Sequence, residues 1–297
     1  MRKVITETET VYTFADLVKL SKESGEDGLD KALEWYTQGL SDYEWWDYTY
    51  ELWSSALEQL GFLGVSIAHS GFCCQGDGAS FECSNIDHEK LIQFLSEPPK
   101  AKTSIETDEA GKELFLPWLA SKIGWGSLDA NPRFKKLERL VDWGFISDLQ
   151  VKRNCYQYVH QNTCEFQATL HDRDQFVDDG SAYGTHISKQ PVVRQTFLDF
   201  VETCEKLRYM ICLAIYKDLE DEWNYLTSPE AYLECDQDAE FLRDGSFFDY
   251  APEDAEHKEV VRKMQVDIFL GRFVRHRRRI NFSGRKRKKQ NEQTDRP

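Results

Sequence analysis

Tyr43, Trp46, Tyr50, Trp53, Leu57 and Leu60 recur at alternating spacings of three and four, which aligns them along one face of an α-helix. Just beyond this stripe the period changes to two. Gly64-Val65-Ser66-Ile67-Ala68-His69 alternates, and so does Ala79-Ser80-Phe81-Glu82-Cys83. Asp77-Gly78 lies between them and favours a tight hairpin turn because both residue types tolerate positive φ. A helix followed at once by a local antiparallel pair predicts an α+β fold: a small antiparallel sheet with a hairpin at 64–83, packed by several helices, with a helical C-terminal part.

Local signals place the other elements. Ser41-Asp42-Tyr43-Glu44 forms a capping box for the aromatic helix, and Gly61 ends it. Residues 4–12 predict a short strand. Thr13 caps a helix carrying Phe14, Leu17 and Leu20, which Gly25 stops. Further helices are expected over 87–95, 109–122 and 132–142, the last opened by Asn131-Pro132, with strands near 145–153 and 155–170 and a loop over 171–190. A long helix should run from Pro191 to Leu226 with Val193, Phe197, Val201, Cys204, Ile211, Ile215 and Leu219 facing inward. Ser228-Pro229 starts a helix reaching about Arg243, and another is expected over 253–275. Three domains follow: 1–250 as the α+β body, 251–275 as a helical extension, and 276–297 as a basic, flexible tail.

Charge is unevenly distributed. Of the net −15, residues 272–297 carry eleven Lys or Arg and two acids, leaving −24 on the rest. The acids concentrate over 218–256, which holds fourteen of them and a single Arg. Such a body repels nucleic acid at long range and attracts basic surfaces, whereas the tail does the opposite. Arg275, Arg277, Arg278, Arg279, Arg285, Lys286, Arg287, Lys288 and Lys289 form that tail. Three readings stay open for it: binding nucleic acid in a salt-sensitive manner, lying across an acidic surface of a partner or a second copy, or keeping the chain end soluble. No run of eighteen apolar residues predicts a membrane helix. Met1-Arg2-Lys3-Val4 opens no secretory leader, so the expected setting is intracellular and the eight scattered cysteines are expected as free thiols.

The loop of the expected hairpin carries a resemblance. Ser70-Gly71-Phe72-Cys73-Cys74-Gln75-Gly76-Asp77-Gly78-Ala79-Ser80-Phe81 resembles a motif of tailed-phage and prophage proteins: Ser-Gly-Phe, two variable residues, then Gln-Gly-Asp-Gly and Ala-Ser-Phe, after a Trp-rich helix. Tyr158-Val159-His160 is similar to that family's Tyr-x-His strand. Ile215 through Glu220, Tyr225 through Ser228, Glu234 and Phe241-Leu242-Arg243-Asp244-Gly245 are similar to its C-terminal signature. The matches are collinear over roughly residues 12–250. Cys73-Cys74 stands where the family more often has Trp-Ser, and residues 251–297 extend beyond the shared region. The resemblance implies a phage protein working in the host cytoplasm. Its size and acidity are similar to those of a Gabija-type anti-defence protein, which encloses a host nuclease complex and keeps it off DNA.

No chemical motif competes with this. The glycines of Gln75-Gly76-Asp77-Gly78 lack the Lys-Ser/Thr of a phosphate loop, and Asp77 is the sole acid there, too few for a calcium loop. Cys73, Cys74, Cys83, His88 and His69 supply zinc-type donors, but adjacent strand cysteines point to opposite faces. His160 with Asp172 or Asp174 has no nucleophile in a recognised context. The expectation is therefore a non-enzymatic inhibitor that needs no cofactor or metal. It would bind a bacterial defence complex and would be helped by homo-oligomerisation. Gly71, Phe72, Gln75, Gly76, Asp77, Gly78, Ser80 and Phe81 are the candidate contact residues, and Tyr158 and His160 support them. The alternatives are an acidic DNA mimic using 218–256 and a nucleic-acid binder using the tail.

Overall fold

The computed structural model describes residues 10–25, 28–39, 44–155, 157–171, 190–234 and 239–248. The Ser41 capping box, most of the 4–12 strand, the 171–190 loop, the 253–275 helix and the whole basic tail lie outside these residues. The fold is α+β, with two-stranded antiparallel sheets set among helices. In chain order the elements are β1 (Tyr12–Thr13), α1 (Phe14–Ser24), α2 (Gly28–Gln38), α3 (Asp47–Leu60), β2 (Phe62–Leu63), β3 (Ser66–His69), β4 (Ala79–Glu82), β5 (Asn85–Ile86) and α4 (His88–Ser96). They continue as β6 (Glu106–Thr107), β7 (Glu113–Leu114), α5 (Leu116–Lys122), α6 (Glu138–Asp142), β8 (Ile146–Arg153), β9 (Cys164–Leu170), α7 (Pro191–Leu226), α8 (Pro229–Leu233) and β10 (Glu240–Phe241).

The described residues fall into two compact units, one drawn from 10–47 with 221–248 and the other from 48–220. In the first, segments far apart in the sequence share one core. β1 pairs with β10, Tyr12 opposite Phe241 and Thr13 opposite Glu240. Phe14, Leu17, Tyr36, Tyr232 and Phe241 are buried together. Trp35 stacks on Phe247 at 4.4 Å, and Trp45 packs on Trp223 at 5.4 Å. The Thr13–Asp16 capping box opens α1, and Gly25 at φ 70° closes it, as the sequence predicts. Gly28 is required by close approach: a Cβ there would sit 2.5 Å from the Arg243 carbonyl oxygen. The helix expected from Ser228 stops at Leu233 instead of Arg243. Extended backbone at 240–241 lets Phe241 pair with β1 while burying its ring, and a continued helix would forfeit both.

The second unit is built on the hairpin. β3 and β4 pair as the expected hairpin, with Ser66 opposite Glu82 and His69 opposite Ala79. A pair of backbone hydrogen bonds between Cys83 and Val151, 2.9 and 3.1 Å, joins the β4 edge to β8. β8 in turn pairs with β9, with a bulge between Ser147 and Gln150. Trp53, Leu57 and Leu60 of the aromatic stripe are fully buried, with Trp53 on Trp118 at 5.0 Å. Each such side chain contributes roughly 2–3 kcal/mol by leaving water. Phe197, Phe200, Cys204, Leu207, Ile211 and Ile215 supply the buried face of α7.

Two further expected elements are shorter than predicted. Residues 109–115 are not helical, because Asp108 accepts from the amides of Ala110 and Lys112 and turns the chain between β6 and β7. The strand expected over 155–170 begins only at Cys164. No described helix is long and apolar enough to cross a membrane.

Candidate functional site

The hairpin tip, residues 70–78, is fastened from within and from both sides. Asp77 accepts from the amides of Cys73 at 2.7 Å and Cys74 at 2.6 Å, and its own amide donates to the Cys74 carbonyl at 3.0 Å. This carboxylate holds the turn as a small nest of backbone donors. At the base, the Ser70 amide donates to the Gly78 carbonyl, and the Gly78 amide donates to Ser70 Oγ at 3.0 Å. Ser70 Oγ donates onward to the Val159 carbonyl at 2.8 Å. Phe72 lies between two rings, His69 at 5.8 Å and Tyr216 of α7 at 5.4 Å, stacked on each. The Tyr216 hydroxyl also donates to the Gly71 carbonyl at 3.2 Å.

Beneath Phe72, His69 Nδ1 and the Tyr50 hydroxyl are 2.7 Å apart. Burial pushes the His69 imidazolium down to about 4, so the ring is neutral at physiological pH.

The expected contact residues divide in two. Gly71, Cys73, Cys74, Gln75 and Gly76 are exposed, with Phe72 and Asp77 half-buried among them. Gly78, Ser80 and Phe81 are buried. Ala79, Ser80 and Phe81 are all fully buried, so both faces of β4 are covered, and none of the expected residues Gly78, Ser80 and Phe81 offers exposed surface in this structure. Phe81 packs edge-on against Phe62 at 5.4 Å.

The supporting pair departs from its expected strand. Tyr158 is 68% exposed in a loop. His160 caps a short turn at 161–163, its Nδ1 accepting from the Asn162 amide at 3.2 Å. Its main chain also closes on Gly78, where a Cβ would lie 3.0 Å from His160 Cα.

The donors weighed for zinc do not converge. His69 pairs with Tyr50, and His88 pairs with Asp142 at 3.1 Å. Cys83 is buried, with its thiol pushed up to about 11 by that burial. His88, Glu89 and Asp142 have ligand-type atoms within 4.8 Å of one another, an arrangement that the His88–Asp142 hydrogen bond accounts for.

A serine–histidine contact occurs at Ser147 Oγ and His171 Nε2, 2.7 Å apart. Ser147 Oγ also donates to Asp148 Oδ2 at 2.8 Å.

Sequence reasoning missed one cluster. Arg208, 3% exposed on the inner face of α7, holds Glu205 in a fork at 2.6 and 2.9 Å and donates to the Gln161 carbonyl at 2.5 Å. Its Nη1 lies 3.1 Å from Cys164 Sγ and 3.9 Å from Cys212 Sγ. The available signal was a basic residue on an apolar helix face, one turn before Cys212.

The model of a family described only as a domain of unknown function, DUF8835, matches residues 45–229. That stretch covers more than half of the chain and takes in the whole unit that carries the hairpin tip. No curated protein and no solved structure matches the chain.

Proposed function

We propose that the chain, which belongs to the DUF8835 family, is a phage-encoded, non-enzymatic protein that binds and blocks a bacterial anti-phage nuclease complex of the Gabija type. The observation that carries the reading is the braced hairpin tip. Asp77, Ser70 and Phe72 spend their polar and aromatic groups on holding residues 71–76 in one conformation, which leaves Gly71 and the Cys73–Gly76 stretch exposed. A preordered tip loses little conformational entropy on docking, the main penalty a binding loop otherwise carries. The resemblance of residues 70–81 to tailed-phage proteins supports the phage setting and host cytoplasm. A second copy of the chain would widen the surface available to span a large complex.

The DNA-mimic alternative is less favoured by the described acids of 218–248. Asp218 accepts from Trp53 and Lys122, Asp244 from Lys31 and Ser246, and Glu234 from Tyr225. A phosphate mimic needs carboxylates facing outward and unspent. The decisive experiment expresses the chain in bacteria carrying the defence system and challenges them with a phage that the system restricts. Restored plating supports the reading, and unchanged restriction at confirmed expression counts against it.

A further inference from the structure

We propose that Cys164 and Cys212 form a hydroperoxide-reactive dithiol, in which Cys164 takes the oxidant and Cys212 closes the product to a disulfide joining β9 to α7. The two sulfurs lie 3.8 Å apart and both residues are buried. Closing to a bond of about 2.05 Å asks for a movement of under about 2 Å shared between two side chains.

The same sulfur spacing also suits two thiolates on one zinc ion. Arg208 argues against that, since its guanidinium occupies the place of the cation, 3.1 Å from Cys164 Sγ. Among the described residues no third ligating side chain joins the pair.

The surroundings give the two thiols different roles. The Cys212 hydrogen bond and the Arg208 charge lower the Cys164 thiol against the opposing effect of burial, while burial raises that of Cys212. Arg208 Nη1 also stands nearer Cys164 Sγ, at 3.1 Å against 3.9 Å for Cys212 Sγ, so Cys164 is the nucleophile and Cys212 the resolving thiol. Arg208, in contact with the Cys164 sulfur, also lines a shallow surface depression with Asn162, Glu202, Glu205, Lys206 and Tyr209.

The electrons balance with hydrogen peroxide as oxidant. Cys164 thiolate attacks one peroxide oxygen, an S–O bond forms, the O–O bond breaks, and hydroxide leaves to become water with a solvent proton. Cys212 sulfur then attacks the sulfenic sulfur, the S–S bond forms, the S–O bond breaks, and the departing hydroxyl takes the Cys212 proton as a second water. Two thiols are oxidised and one peroxide is reduced.

The test uses the full chain with its exposed thiols first alkylated under native conditions, then treated with hydrogen peroxide and digested without reduction. The expected product is a peptide pair cross-linked through Cys164 and Cys212 that dithiothreitol separates. Cys212→Ser should stop at a Cys164 sulfenic acid trapped by dimedone. Arg208→Lys, checked for fold by circular dichroism, should slow the reaction by about tenfold or more. If the wild-type chain instead oxidises only at other cysteines, and both Cys164 and Cys212 remain alkylatable after denaturation, the proposal is wrong.

Discussion

Phe72 stacks on Tyr216 with ring centroids 5.4 Å apart and planes 29° from parallel, so the tip of the β3–β4 hairpin is fixed to the long helix α7. The contact joins two stretches that the motif resemblance picks out separately, 70–81 and 215–220. It gives a physical reason for them to occur together: one supplies the loop and the other its brace.

Tyr216→Ala removes both the ring contact and the hydroxyl bond to Gly71. An aromatic pair contributes about 0.5–1.5 kcal/mol beyond its area. Amide hydrogen exchange over residues 71–78 should therefore speed up several-fold in this variant, whereas Tyr216→Phe, which keeps the stack, should change it little. Equal effects from the two would show that the ring does not hold the tip.

Asp77→Ala deletes the acceptor for two loop amides. Hydrogen bonds to a charged group are each worth about 1.5–3 kcal/mol, so the tip should lose its single conformation while the core keeps its Tm within a few degrees. Asp77→Asn retains one oxygen and should be milder. Proteolysis within 71–77, compared across the three proteins, measures the order.

Ser80→Ala should leave the fold intact and raise stability by up to about 1 kcal/mol. The Ser80 hydroxyl is fully buried and makes no hydrogen bond among the described residues, and a buried hydroxyl without a partner is a cost. Gly78→Ala should act oppositely, losing about 1–3 kcal/mol, because the new methyl presses on the His160 backbone. Urea unfolding of both variants checks the pair.

His69 makes stability fall in acid. Its folded value is depressed to about 4 by burial, below the unfolded value near 6.5. The unfolded chain therefore binds the proton first. The stabilising contribution is complete above about pH 6.5 and is lost as pH falls toward 4, by on the order of 2 kcal/mol. A His69→Gln variant should show a flatter Tm profile across that window than the parent.

The hairpin, α3 and α7 were legible because their signals are local: period two on either side of Asp77-Gly78, and apolar residues three and four apart from Trp46 to Leu60 and from Phe197 to Leu219. The first unit was not, because its core depends on pairing Tyr12 with Phe241, a contact between residues far apart in sequence that no local period records. The same distance effect ended the helix after Ser228 early. At the site, alternation over Ala79–Cys83 suggested a strand with one open face, whereas Ala79, Ser80 and Phe81 are all fully buried and both faces of β4 are covered. Arg208, Cys164 and Cys212 meet across two elements, and only the fold brings them together.

The most direct measurement is the binding of the purified chain to a reconstituted Gabija-type nuclease complex by calorimetry, alongside a variant with Gln75 and Gly76 replaced by Glu and Arg. The account predicts a stable complex that blocks DNA cleavage and at least about a hundredfold weaker binding for the tip variant, a loss of roughly 2.7 kcal/mol. Equal affinity for the two proteins, or cleavage that proceeds undisturbed at saturating chain, would contradict it.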